Sequence, residues 1–128
     1  MFVRVLLVDD EPAFREMVES QLSKEGFPVS CAGSGMEALD QLKRNPFDVM
    51  LLDYHLPDIS GPEVLRRMKE LNIRTQVIML TGEQGLDRAA ETINLGVDDY
   101  LLKPHFARHL VACIRRVMEK GVRQPHRG

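Results

Sequence analysis

Val3-Arg4-Val5-Leu6-Leu7-Val8-Asp9-Asp10-Glu11 carries the chain through an apolar run that stops on a pair of carboxylates. Val49-Met50-Leu51-Leu52 stops in the same way on Asp53, and Tyr100-Leu101-Leu102 stops on Lys103. Short, nearly continuous runs of Val and Leu read as strands covered on both faces, the condition of strands in a parallel sheet. In such sheets the ligand site lies just beyond the carboxyl ends of the strands. If these strands are neighbours, three carboxylates and one ammonium converge in one crevice. Like charges that close are unfavourable unless a cation or a shared proton relieves them. The pattern points to chemistry at one edge of the sheet.

Outward from these runs, strands alternate with amphipathic helical stretches. A first helix is expected from about Pro12 to Lys24, with Pro12 suited to a first helical position and Phe14, Met17, Val18 and Leu22 at helical spacing. Gly26 stops it, and Phe27–Ala32 is a second strand. Ser34 can cap a short helix carrying Ala38, Leu39 and Leu42, ended by Asn45-Pro46. Asp48–Leu52 is the third strand; a loop with Pro57 and Gly61 leads to a helix from about Pro62 to Leu71, with Val64, Leu65, Met68 and Leu71 inward. Gln76–Leu80 is the fourth strand. An apolar-poor helix over about 86–95 has mainly Ala89, Ala90 and Ile93 to bury. Asp99–Leu102 is the fifth strand, and a last helix over about Ala107–Lys120 has Leu110, Cys113, Ile114 and Val117 on one stripe. Strict alternation of this kind predicts a single doubly wound (βα)5 domain with right-handed crossovers. Residues 1–120 make that domain, and 121–128 read as a polar tail or the start of a linker.

The bulk properties narrow the function. A formal net charge of -2 gives no electrostatic case for direct nucleic-acid binding by this domain. No run approaches the roughly 18 apolar residues of a membrane span, so no membrane is expected. Cys31 and Cys113 lie far apart in apolar settings and read as two reduced core cysteines, which favours a cytoplasmic setting. Asp9-Asp10-Glu11 occupies the turn where a nucleotide-binding α/β domain would carry its glycine-rich phosphate loop. Carboxylates there repel phosphate and attract a hard cation, which argues against nucleotide binding although the flavodoxin-like architecture is shared. Mg²⁺ needs only one or two carboxylates, a backbone oxygen and waters, and Asp10, Asp53 and the His55 carbonyl can supply that share. The plainer alternative is an acidic cluster at the N-terminus of the first helix.

Taken in order, the motifs resemble the receiver (CheY-like) domain of bacterial two-component response regulators, over residues 3–120. The resemblance is carried by Asp9-Asp10, the segment from Asp53 through Pro57 to Gly61, Thr81-Gly82, and Gly96-Val-Asp-Asp-Tyr-Leu-Leu-Lys103-Pro104. It implies a five-stranded parallel sheet of order 2-1-3-4-5. It further implies that Asp53 accepts a phosphoryl group from a sensor histidine kinase or phosphotransfer protein, with Mg²⁺ (or Mn²⁺) held by Asp10 directly and Asp9 through water, Asp53 and the His55 carbonyl completing the set. Lys103 would neutralise phosphoryl charge, and Thr81 would bond a phosphoryl oxygen and draw in the following loop. Tyr100 would change rotamer with it. Pro104 would fix the backbone after Lys103 through a Lys-Pro bond that is cis in the family. The implied role is a phosphoacceptor switch that catalyses only its own phosphorylation and dephosphorylation. Its output surface would be the predicted helix over 86–95, the fifth strand and the last helix, where Arg88, Asp98, Arg115 and Arg116 offer charges to an effector or a second copy.

Some positions depart from the family pattern. Leu56 stands where Met is common, and His105 stands where Phe is usual, with Phe106 next. His55 and Glu83 occupy positions that modulate phosphoryl lifetime in the family. His105 and His109 have i, i+4 spacing, but no third ligand accompanies them, so a metal site there is not expected. An aspartyl-phosphate phosphohydrolase of the haloacid dehalogenase type would want a second Asp two residues after its nucleophile, where this chain has His55. A pseudo-receiver scaffold would lack an acidic or lysine position, and all are present. The cognate kinase and the output are not written in these residues.

Overall fold

The structure is a computed structural model, and it describes residues 3–82, 95–103 and 107–122. Glu83, Arg88, most of the helix expected over 86–95, Pro104 with its peptide bond to Lys103, His105 and the last six residues lie outside the described residues. The strands β1 (Val5–Val8), β2 (Val29–Ala32), β3 (Val49–Asp53), β4 (Gln76–Thr81) and β5 (Asp99–Leu102) form one parallel sheet in the order β2-β1-β3-β4-β5. Four helices accompany them among the described residues: α1 (Pro12–Lys24), α2 (Gly35–Arg44), α3 (Gly61–Glu70) and α4 (Ala107–Val122).

Alternation along the strands sorts the core into two layers. Val5, Leu7, Val49, Leu51, Ile78 and Leu80 face α1 and α4 and meet Val18, Leu22, Ile114 and their neighbours. Leu6, Val8, Met50, Leu52, Val77 and Met79 face the other way, onto Ala38, Leu39, Val64, Leu65 and Met68 of α2 and α3. β1 and β3 are buried at every position, because helices lie on both faces.

Two apolar residues expected inward are exposed instead, Met17 at 44% and Leu71 at 45%. Phe14, Val18 and Leu22 already form the inward stripe of α1, and Met17 falls beside that stripe. Leu71 is the C-cap of α3, where the chain turns through a left-handed Asn72 (φ 58°). The Asn72 amide donates to the Lys69 carbonyl and the Ile73 amide to the Met68 carbonyl, so Ile73 supplies the apolar contact in place of Leu71. α1 ends in the same way at Gly26 (φ 88°), with Gly26 donating to Ser23 and Phe27 to Leu22.

Candidate functional site

Register brings the charged strand ends together. Val8 pairs with Leu52, Asp53 with Leu80, and Thr81 with Leu102, so Asp9, Asp53, Thr81 and Lys103 share one edge. Period-two alternation then divides them. Asp9, Asp53 and Lys103 fall on the α1/α4 side of the sheet, in step with Leu7, Leu51 and Leu101. Thr81 follows Val77 and Met79 onto the α2/α3 side, where Tyr100 packs half-buried against the second core layer.

On the acidic side, the Lys103 ammonium lies 2.7 Å from Asp9 Oδ2 and 3.0 Å from Asp53 Oδ2, and 3.9 Å from Glu11 Oε1. The ring of Phe14 closes over the ammonium at 4.7 Å from its centroid. Asp9 is fully buried and Asp53 is 6% exposed, while Asp10 is exposed at the rim. Asp9 Oδ1 accepts the Glu11 amide at 2.9 Å, Asp53 Oδ1 accepts the His55 amide at 3.3 Å, and Arg15 Nη1 donates to the Asp9 carbonyl at 2.7 Å. Burial pushes the Asp53 carboxyl up, Lys103 pulls it down, and Asp9 pushes it up again, leaving it raised. Burial depresses the Lys103 ammonium, but Asp9 and Asp53 more than restore it, leaving it raised as well. The two shifts differ in cause: burial leads for Asp53, and the two neighbouring carboxylates lead the rise of Lys103.

A hard dication fits this pocket. Carboxylate oxygens of Asp9, Asp10 and Asp53 all lie within 4.8 Å of one another. Asp9 Oδ2 is buried and is met among the described residues by the Lys103 ammonium at 2.7 Å. An all-oxygen donor set of three clustered carboxylates, two of them buried, is compatible with Mg²⁺.

A family model described as the response regulator receiver domain matches residues 5–115. The chain belongs to that family. Among curated relatives, the receiver domain is 38% identical over 119 residues to the transcriptional regulatory protein TrcR of Mycobacterium tuberculosis, covering 93% of this chain and 46% of the relative. It is 35% identical to the cell cycle response regulator CtrA of Brucella ovis, covering 93% of this chain and 51% of the relative. The chain thus spans about half the length of these curated relatives. Among solved structures, a CheY-like receiver domain protein from Methanospirillum hungatei superposes with a TM-score of 0.89 at 30% identity, covering 97% of this chain and 99% of that one. Vibrio cholerae chemotaxis protein CheY4 superposes with a TM-score of 0.82 at 32% identity, covering 91% of this chain and 99% of that one.

The remaining sites of the receiver domain take these positions. Thr81 is 1% exposed and its hydroxyl donates to the Gly82 carbonyl at 3.1 Å. The side chain of His55 is exposed, edge-on to the ring of Tyr54 at 5.0 Å between centroids. Pro57 is exposed in the loop after β3, and Gly61 closes that loop by donating to the Tyr54 carbonyl at 2.9 Å. A Cβ on Gly61 would stand 2.8 Å from the Asp53 carbonyl oxygen, so the close return of the chain needs glycine there. Among the described residues, the charges expected to face a partner, Asp98, Arg115 and Arg116, have partners within the domain. Asp98 accepts the Val77 amide at 2.8 Å, Arg116 donates to Asp99 at 2.5 Å, and Arg115 lies 3.9 Å from Glu25. Asp99 also accepts the Cys113 thiol, which burial and this carboxylate push up to about 12. Cys31 and Cys113 are both free thiols. Phe14, Arg15 and Asp58 reach the site or its loop through contacts that cross between elements, so their part there is not read from their spacing.

Proposed function

We propose that the receiver domain is a phosphoacceptor switch in which Asp53 takes a phosphoryl group from a histidine of a sensor kinase or phosphotransfer protein. The observation that carries this reading is the buried Asp53 carboxylate bonded by Lys103 beside an acidic cluster suited to a dication. An Asp53 oxygen attacks phosphorus, the P–N bond to the donor imidazole breaks, and the leaving nitrogen keeps the electron pair. Phosphoryl transfer depends mainly on in-line positioning and charge neutralisation, which is why the site is built of charges rather than of acid–base pairs. Mg²⁺ held by Asp10, Asp9, Asp53 and the His55 carbonyl supplies part of that neutralisation when bound. Lys103, already seated at Asp53, supplies the rest from the protein. Thr81 turns its hydroxyl from the Gly82 carbonyl to a phosphoryl oxygen, and Tyr100, on the same face of the sheet, reads the change. His55 and Glu83 set how long the phosphoryl group lasts against water. The domain acts on no external substrate. β5, α4 and the segment between β4 and β5 form the surface that meets an effector or, after phosphorylation, a second copy.

The test is incubation with Mg²⁺ and either beryllofluoride or acetyl phosphate, read by calorimetry or by a mass increase of one phosphoryl group. Wild-type protein is expected to respond and Asp53→Asn to be silent. Equal responses from the two proteins, or none from wild type, would overturn the reading.

A further inference from the structure

The loop that follows Asp53 is tied at its far end to a different helix. Asp58 Oδ1 accepts the Gly35 amide and Asp58 Oδ2 accepts the Met36 amide, each at 2.8 Å. These are the first two amides of α2, which the helix itself leaves unpaired. Ser34 Oγ takes the Glu37 amide at 3.2 Å, so helix α2 is capped jointly by its own serine and by a carboxylate from 23 residues away. The apolar half of the same joint is Ile59, packed where a side chain on Gly35 would stand: a Cβ there would lie 2.4 Å from Ile59 Cγ1 and 2.9 Å from Val64 Cγ2. At its near end the loop is closed by Gly61 on Tyr54. Between these two anchors lies His55, whose amide bonds Asp53 Oδ1.

We infer that Asp58 is a positioning residue for the acceptor pocket, holding the 54–60 loop, and with it the backbone of His55, in place by clasping the N-terminus of α2. This rests on the reading of Asp53, Asp10 and the His55 carbonyl as the metal-assisted acceptor site. The loop has no regular secondary structure between β3 and α3. The Asp58 clasp therefore restrains this loop alongside its end contacts, the packing of Leu56 and Ile59 on the core, and the His55 amide bond to Asp53. Charge-assisted bonds to a helix N-terminus are the strong kind, being shortened by both the carboxylate charge and the helix dipole. Releasing the clasp leaves Asp53 itself in β3, held by the sheet, while the backbone two residues on loses one of its restraints and is placed less sharply. The expected loss is therefore in metal and phosphoryl-analogue affinity rather than in folding.

The experiment compares Asp58→Ala, Asp58→Asn and Ser34→Ala with wild type, each as the full chain. Ser34→Ala uncaps the same helix but leaves the loop clasped, so it matches the loss of helix stability without the loss of positioning. Mg²⁺ affinity is measured by calorimetry, and beryllofluoride binding by the shift in melting temperature. Asp58→Ala is expected to weaken Mg²⁺ about 10-fold, the lower end of the effect of removing an outer-shell support. Asp58→Asn, which keeps one acceptor oxygen, should fall between it and wild type, and Ser34→Ala should bind as wild type does. In wild type, Mg²⁺ with beryllofluoride should also slow hydrogen exchange at the Gly35 and Met36 amides, since coupling between sites is reciprocal. Wild-type affinity in Asp58→Ala, or equal weakening in Ser34→Ala, overturns the inference. Absence of Mg²⁺ and beryllofluoride binding in wild type itself would instead overturn the reading of the acceptor site.

Discussion

Asp53 sits out of water beside a second buried carboxylate, Asp9, with Lys103 between the two. Burial raises its pKa and Lys103 does not fully offset that and the repulsion from Asp9. A carboxyl whose folded pKa is raised lends stability only below its unfolded pKa, and loses it as pH rises through the folded value. At neutral pH without metal, Asp53 therefore weakens the fold. Asp53→Asn is expected to raise the metal-free melting temperature at pH 7 by roughly 2–6 °C, with Lys103 still paired to Asp9. A thermal scan in chelator showing an unchanged or lower value would refute this. Asp99 behaves in the opposite sense. Burial raises it, but Arg116, the Tyr100 amide and the Cys113 thiol together hold it below the usual range. Its contribution is present above the unfolded value of about 3.9 and is lost as pH falls below that. Urea titrations between pH 5 and 3 should show a shallower loss of stability in Arg116→Ala than in wild type. Asp9, Asp53 and Lys103 were legible as residues because each ends an apolar run. Phe14 and Arg15 were not, because α1 brings them to the site only after it packs on the sheet.

The helix ends show how far local signals reach. Pro12, Ser34 and the Asn45-Pro46 stop mark ends that the structure keeps, because caps and proline act within one turn. Leu71 obeys the helical period of α3 and yet faces water, since the helix has already ended and Asn72 reverses the chain. Gly35 is the sharper case. It lies in the first turn of α2 with no positive φ, so sequence alone would favour alanine there. The loop side chain of Ile59 reverses that preference. Gly35→Ala is expected to destabilise by about 1–3 kcal/mol, the usual cost of overpacking. Gly33→Ala should be milder, since its nearest neighbour is the end of the flexible Arg15 side chain at 3.3 Å. Urea midpoints of the two variants give the comparison, and equal midpoints would remove Ile59 from the argument.

For the molecule as a whole, a dication that binds only the folded site must stabilise the entire domain. Free Mg²⁺ at 100 times its dissociation constant is expected to add about 2.7 kcal/mol to the unfolding free energy, reversed by chelator and absent in Asp53→Asn. A melting temperature indifferent to Mg²⁺ would show that the acidic pocket takes no metal. The (βα)5 architecture and the edge at which the charged groups gather followed from the chain alone, because buried strands and helices differ in period and length, and parallel strands put their carboxyl ends on one side. The sorting of Thr81 and Tyr100 onto one face and of Asp9, Asp53 and Lys103 onto the other needed the strand register. The clasp of Asp58 on α2 needed the packing of two elements 23 residues apart. Local sequence dictates the period and ends of an element, since those depend on neighbouring residues. Which element reaches across to hold another is decided only when the core closes, because that contact is made between parts of the chain that share no local signal.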